Sequence, residues 1–237
     1  SLELPFVGMV LSAGSTVLLP VFSKMISDNV PKTSILDLWE RTAVKAAYIL
    51  YPMIVFCMFF ATEIMTFLYG SMYETSAVYF RIMLVANFFT VIQFYPIILA
   101  LGKTKDYALI HIGVFILVWT LEFVAVRYLQ TAIALTVISV VCKIIKMVLM
   151  MRIVAQAIGI KIWSLFPLIK LGNTFISCLI AGIISYMALQ YQPFDINELT
   201  VLLIGLIIFI TLAYVTGKIM KVDYMSVVRP ITDKYFK

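Results

Sequence analysis

The chain has 237 residues, 63% of them hydrophobic and 13% charged, with a mean hydropathy of +1.07 and 18 Lys and Arg against 12 Asp and Glu. So little charge, with connections this short, excludes a soluble domain, and the basic excess lacks the folded, aromatic-interleaved face that a nucleic-acid reader needs. Three cysteines and one histidine, His111, match no metal or redox spacing, so the sequence carries no metal or cofactor signature.

The apolar residues fall into seven stretches of little or no charge, each close to the roughly 20 residues a helix needs to cross the hydrocarbon layer. Period-2 alternation is absent and the runs are about twice too long for barrel strands. The predicted fold class is therefore all-α: a polytopic integral membrane helix bundle of seven transmembrane helices.

The first stretch, 4–22, leads into the longest connection, 23–45. Here Pro31, then Ser34 with Asp37 three residues on, signals a helix start, Asp37 and Arg41 form an i,i+4 pair, and Trp39 is placed to anchor at the interface. The second stretch, 46–69, carries Glu63 near its end, and the third, 82–102, opens beside Arg81. The fourth, 107–126, holds His111 one turn in and Glu122 near its end; the fifth, 128–151, contains Lys143 and Lys146. An interfacial piece at 158–165, with Lys161 and Trp163, precedes the sixth stretch, 171–194. Pro193 stops that helix, and Asp195 with Glu198 caps the seventh, 199–217. Pro20, Pro52 and Pro96 interrupt spans, a property shared by alternating-access carriers.

Placing alternate connections on opposite sides puts every Lys and Arg except Arg81 and Arg127 on or towards one side. That side is cytoplasmic by the positive-inside rule, and with seven spans the C-terminus is cytoplasmic too. The same basic loops attract anionic membrane lipids.

Ionisable groups inside a span cost about 2.5–3.5 kcal/mol unless paired, hydrated or snorkelling, so each has a functional and a structural reading. Thr136, Ser139, Lys143 and Lys146 recur at i, i+3, i+7, i+10 and line one helix face, suited either to a wet cavity that receives an anion or to lysines that snorkel to the headgroups. Lys170, Asn173 and Ser177 repeat the idea on the sixth stretch. Asn87, Thr90 and Gln93 share an arc that lines a cavity or bonds a neighbouring helix. Glu63 and Arg81 form an outer ion pair or a gate. Glu122 is a hydrated interfacial carboxylate or a coupling site, and His111 is a packed histidine or a proton relay.

Four local patterns add a resemblance. Leu18-Leu19-Pro20-Val21-Phe22-Ser23-Lys24 resembles the LLP-x-x-S-K/R helix ending of the polysaccharide and lipid-linked oligosaccharide flippases of the MOP exporter superfamily. Residues 61–70 resemble that family's APE-I to L-F/Y-G outer turn, Arg81-Ile82-Met83 its LR-I-L helix opening, and residues 99–105 its LQALGRTK cytoplasmic exit. These occur in the family's order across residues 10–106, so the chain resembles the C-terminal half of a fourteen-helix Wzx- or PST-type exporter. Residues 1–157 would supply helices of the C-terminal lobe from within helix eight, and residues 158–237 two additional helices and a basic tail.

The resemblance implies a transporter, not an enzyme, of the bacterial cytoplasmic membrane. It would flip undecaprenyl-pyrophosphate-linked oligosaccharide outward by alternating access, together with an N-terminal lobe upstream of Ser1. In related flippases most cationic cavity residues lie in that upstream lobe, so a central site is not carried over; Lys143, Lys146, Ser139, Asn173 and Gln93 are the candidate substrate contacts within this chain. A cation-coupled antiporter of the same superfamily would concentrate buried carboxylates, whereas Glu63 and Glu122 lie near the outer interface. A membrane glycan polymerase or acyltransferase would present a large outer loop or a catalytic histidine with an acidic partner.

Overall fold

The structure, a computed structural model, describes residues 5–91, 93–165, 167–190 and 197–227. Among the described residues all regular structure is helical: α1 (Pro5–Ser27), α2 (Lys32–Phe59), α3 (Ala61–Tyr69), α4 (Ala77–Thr90), α5 (Tyr95–Ala100), α6 (Thr104–Tyr128), α7 (Ala132–Ile158), α8 (Leu168–Gln190) and α9 (Glu198–Ile219), with short 3-10 turns at Ser71–Ser76 and Ile162–Leu165. The chain is a polytopic helical membrane bundle. Among the described residues six helices, α1, α2, α6, α7, α8 and α9, are long and apolar enough to cross a bilayer.

The expected third span is the exception, because 82–102 is divided between α4 and α5. Pro96 in the first turn of α5 has no N–H to give and its ring crowds the preceding turn, so the helix breaks before it. Pro20 and Pro52, by contrast, lie inside continuous helices. The second expected span is reached in two pieces, yet the break at Phe60 hardly interrupts the ladder: Phe60 N donates to Phe56 O at 3.0 Å and Ile64 N to Phe60 O at 2.9 Å.

Helix boundaries move for identifiable reasons. The helix expected to start at Ser34 starts at Lys32 behind Pro31, whose carbonyl accepts from Ser34 N at 2.9 Å, and it runs without a stop into the second span. Tyr128 closes α6 instead of opening α7, since Gln130 takes a left-handed backbone (φ 48°) and turns the chain. The Pro193 and Asp195 signals lie outside the described residues; α9 itself begins after Asn197.

The described chain divides into two compact units. One comprises residues 1–43 and 82–167, the other residues 44–81 and 168–237. In the first, α1 packs on α5 and α6 on α7, with Phe22, Ile97, Ile98 and Val154 fully buried. In the second, α8 packs on α9 and α9 on α3, around Leu50, Ile54, Phe60 and Phe209. The Phe56 ring stacks on Phe60 at 4.7 Å and tilts against Phe209 at 5.6 Å. Gly182 and Gly205 are required here: a Cβ on Gly182 would collide with the Phe59 ring, and one on Gly205 would lie 2.9 Å from the Phe60 ring. The outward faces are apolar, as a lipid-facing surface must be, with Trp119, Phe123, Ile169 and Ile207 all well exposed.

Candidate functional site

The break between α4 and α5 creates the first unit's principal feature, a cavity of about 550 Å³. Its walls are Gly8, Ser12 and Ser15 of α1, Asn87 and Thr90 of α4, Gln93 in the break, Tyr107 and His111 of α6, and Lys143 and Lys146 of α7, completed by apolar residues such as Met147 and Met150. Two cations, two carboxamides, hydroxyls and an imidazole thus converge within an otherwise apolar bundle. Such a constellation suits a polar, anionic group.

Gln93 organises the α1 side. Its Oε1 accepts from Ser15 Oγ at 2.9 Å, its Nε2 donates to Leu11 O, and Gly14 leaves the room these contacts need. Its backbone carbonyl, freed by the break, accepts from Trp39 Nε1 at 3.0 Å. Trp39 is therefore not the interfacial anchor the sequence suggests: it is 2% exposed, and its ring lies 5.4 Å from that of Phe94. The reason is that the chain leaves helical bonding between α4 and α5, and an indole N–H is the donor that satisfies the Gln93 carbonyl.

On the opposite wall, Lys143 and Lys146 are half-buried and both line the cavity. His111 joins them, its ring 4.4 Å from that of Tyr107 and its Nε2 buried without a hydrogen-bond partner among the described residues.

The predicted stripe on α7 is divided. Ser139 turns to α6 and donates to Glu122 Oε1 at 2.8 Å, so Glu122 is held by a serine and not simply hydrated. Thr136 bonds back to Ala132 O at 3.0 Å.

Asn173 belongs to the second unit, where its Nδ2 reaches Met220 O at 3.4 Å. Nearby, Ser177 is buried among Ala213 O, Thr216 Oγ1 and Tyr224 Oη, at 3.1–3.4 Å. That polar seam closes α8 on α9 and the turn beyond it. Arg81 is not paired with Glu63. It donates to Met58 O at 3.0 Å and Thr62 Oγ1 at 3.1 Å, because the end of α2 offers a carbonyl released by the irregularity at Phe60. Glu63 Oε2 is buried and has no hydrogen-bond partner among the described residues; Glu63 lines a second-unit cavity of about 280 Å³ with Tyr186, Gln190 and Glu198.

Ser12 and Ser15 are cavity residues that no charge or motif marks; the one signal in the sequence is their i, i+4, i+7 spacing with Gly8, a small polar face on α1.

These features define a multi-pass helical membrane protein with a polar, cationic cavity in one of its units. Residues 4–78 match a family described as polysaccharide biosynthesis protein. No curated protein sequence and no solved structure matches the chain. The family match covers α1, α2, α3 and the start of α4, and it fits a role in polysaccharide synthesis or export.

Proposed function

We propose that this chain forms part of an exporter that flips undecaprenyl-pyrophosphate-linked oligosaccharide from the cytoplasmic to the outer leaflet of the bacterial cytoplasmic membrane. The carrying observation is the cavity that unites Lys143, Lys146, Gln93 and Asn87. Carrying such a molecule requires a wet path for sugar and pyrophosphate while the polyprenyl tail stays in the bilayer. Lysine ammonium groups serve the anionic end, and carboxamides and hydroxyls serve the sugar. The basic connections lie on the cytoplasmic side and the C-terminus is cytoplasmic. Transport proceeds by alternating access with the upstream lobe that the resemblance implies, and no covalent step is needed.

The test is expression of the transporter, with that upstream lobe, in a bacterial strain lacking its own oligosaccharide flippase, read as surface glycan. Wild type restores glycan, and Lys143→Ala with Lys146→Ala, present at equal membrane level, does not. Restoration by the double variant would reduce both lysines to snorkelling anchors.

A further inference from the structure

The first unit carries a second recess, separate from the cavity above and left without a role by it. It is a groove of about 410 Å³ between the start of α6 and the end of α7. On α6 the lining passes from Lys103 and Asp106, at its start, to Leu109 and Ile110; on the antiparallel α7 it runs inward from Ala157 and Gln156 through Ile153 and Arg152 to Leu149. Lys103, Asp106 and Gln156 therefore share the end where α6 begins and α7 finishes, Arg152 lies about one turn further in with a side chain long enough to reach back to them, and Leu109, Ile110 and Leu149 continue into the span. Leu109 is 67% exposed.

Electrostatics at the polar end favour an anion. Arg152 is exposed, and among the described residues no hydrogen bond or ion pair occupies its guanidinium. Asp106, the one carboxylate in the groove, is already engaged with Lys103 Nζ at 3.8 Å. The C-terminus of α7 would ordinarily repel a negative group through its unpaired carbonyls. Here Lys32 Nζ donates to Ile158 O at 3.0 Å and approaches Ala157 O at 3.5 Å, while Gly159, left-handed at φ 84°, lets the Gly159 and Ile160 N–H groups turn back onto Ala155 O. That end is neutralised before any ligand arrives.

We propose that this groove binds an anionic glycerophospholipid, its phosphodiester on Arg152 with help from Gln156 and Lys103, and one acyl chain along Leu109, Ile110 and Leu149. A guanidinium meets a phosphodiester with two parallel N–H donors, and basic recesses between spans at the positively flanked side are suited to such headgroups. The apolar continuation commits the site to a lipid over a soluble phosphate. The inference rests on the membrane bundle alone and stands whether or not the cavity carries glycan.

The experiment is native mass spectrometry of the full chain released from uncharged detergent, titrated with phosphatidylglycerol, with phosphatidylcholine as comparator and inorganic phosphate as competitor. The expected result is preferential phosphatidylglycerol binding that Arg152→Gln weakens about tenfold, Arg152→Lys weakens less, and Arg127→Gln at the other end of α6 leaves unchanged. All variants should keep the wild-type melting profile in lipid-free detergent, since Arg152 and Arg127 are exposed. Equal binding of both lipids, full retention by Arg152→Gln, or displacement by inorganic phosphate at matched concentration would each overturn the proposal.

Discussion

Replacing Gln93 by alanine separates the packing role of the cavity's best-connected residue from its part in transport. The substitution deletes the Ser15 Oγ to Gln93 Oε1 bond at 2.9 Å and the bond to Leu11 O, but leaves the Trp39 bond, which uses the Gln93 backbone. Interhelical hydrogen bonds within membranes average about 0.6 kcal/mol and reach about 1.7, so two of them predict a loss of roughly 1–3 kcal/mol. Ser15→Ala alone should cost about 0.6–1.7 kcal/mol, and the double variant should cost less than the sum by a similar amount, because one bond is counted twice. Equilibrium unfolding in mixed micelles of mild detergent and dodecyl sulfate measures all four corners of that cycle. A coupling energy indistinguishable from zero, with each single variant destabilised, would show that Ser15 and Gln93 do not bond each other and would remove the argument that Gln93 ties α1 to the broken span.

Gly217→Ala should destabilise the second unit by about 1–3 kcal/mol, since its Cβ would run into the Tyr224 ring, and Tyr224→Ala should abolish most of that increment in a thermal-unfolding cycle. Trp39→Phe keeps a ring beside Phe94 but strands the Gln93 carbonyl, which predicts a loss of about 1–2 kcal/mol in the same micelle assay. Burial, with Cys178 beside it, pushes the Tyr224 phenol above its ordinary value of 10.0. The folded chain thus holds a proton that the unfolded chain releases, so this group's contribution is complete below pH 10 and declines as pH rises above it; stability measured against alkaline pH should fall less steeply in Tyr224→Phe.

Much of the bundle can be read from hydropathy, because spans of 22 to 28 residues with at most two charges in their core windows have few alternatives. Spacing puts Lys143 and Lys146 on a shared α7 face, and both line one cavity. Ser139 shares that face, yet it meets Glu122, since it lies four residues, about 6 Å, further towards the start of α7, where antiparallel α6 presents Glu122 and not His111. Spacing within one helix cannot reveal which helix lies opposite. The fate of Trp39 illustrates the same limit: an indole near a span's start reads as interfacial until a distant break supplies a carbonyl for it. The interleaved units are also invisible locally, because they join residues 1–43 with 82–167 and 44–81 with 168–237.

On the proposed function, the break between Thr90 and Tyr95 would have a second consequence. Backbone that has left helical bonding cannot face hydrocarbon without a penalty of several kcal/mol for each unsatisfied group. An acyl or polyprenyl tail straying towards Gln93 would have to cover such backbone and the Asn87 and Thr90 side chains beside it, whereas water or a sugar hydroxyl would satisfy them. On that reading the irregularity would favour polar headgroups over tails, before any particular side chain distinguishes one headgroup from another.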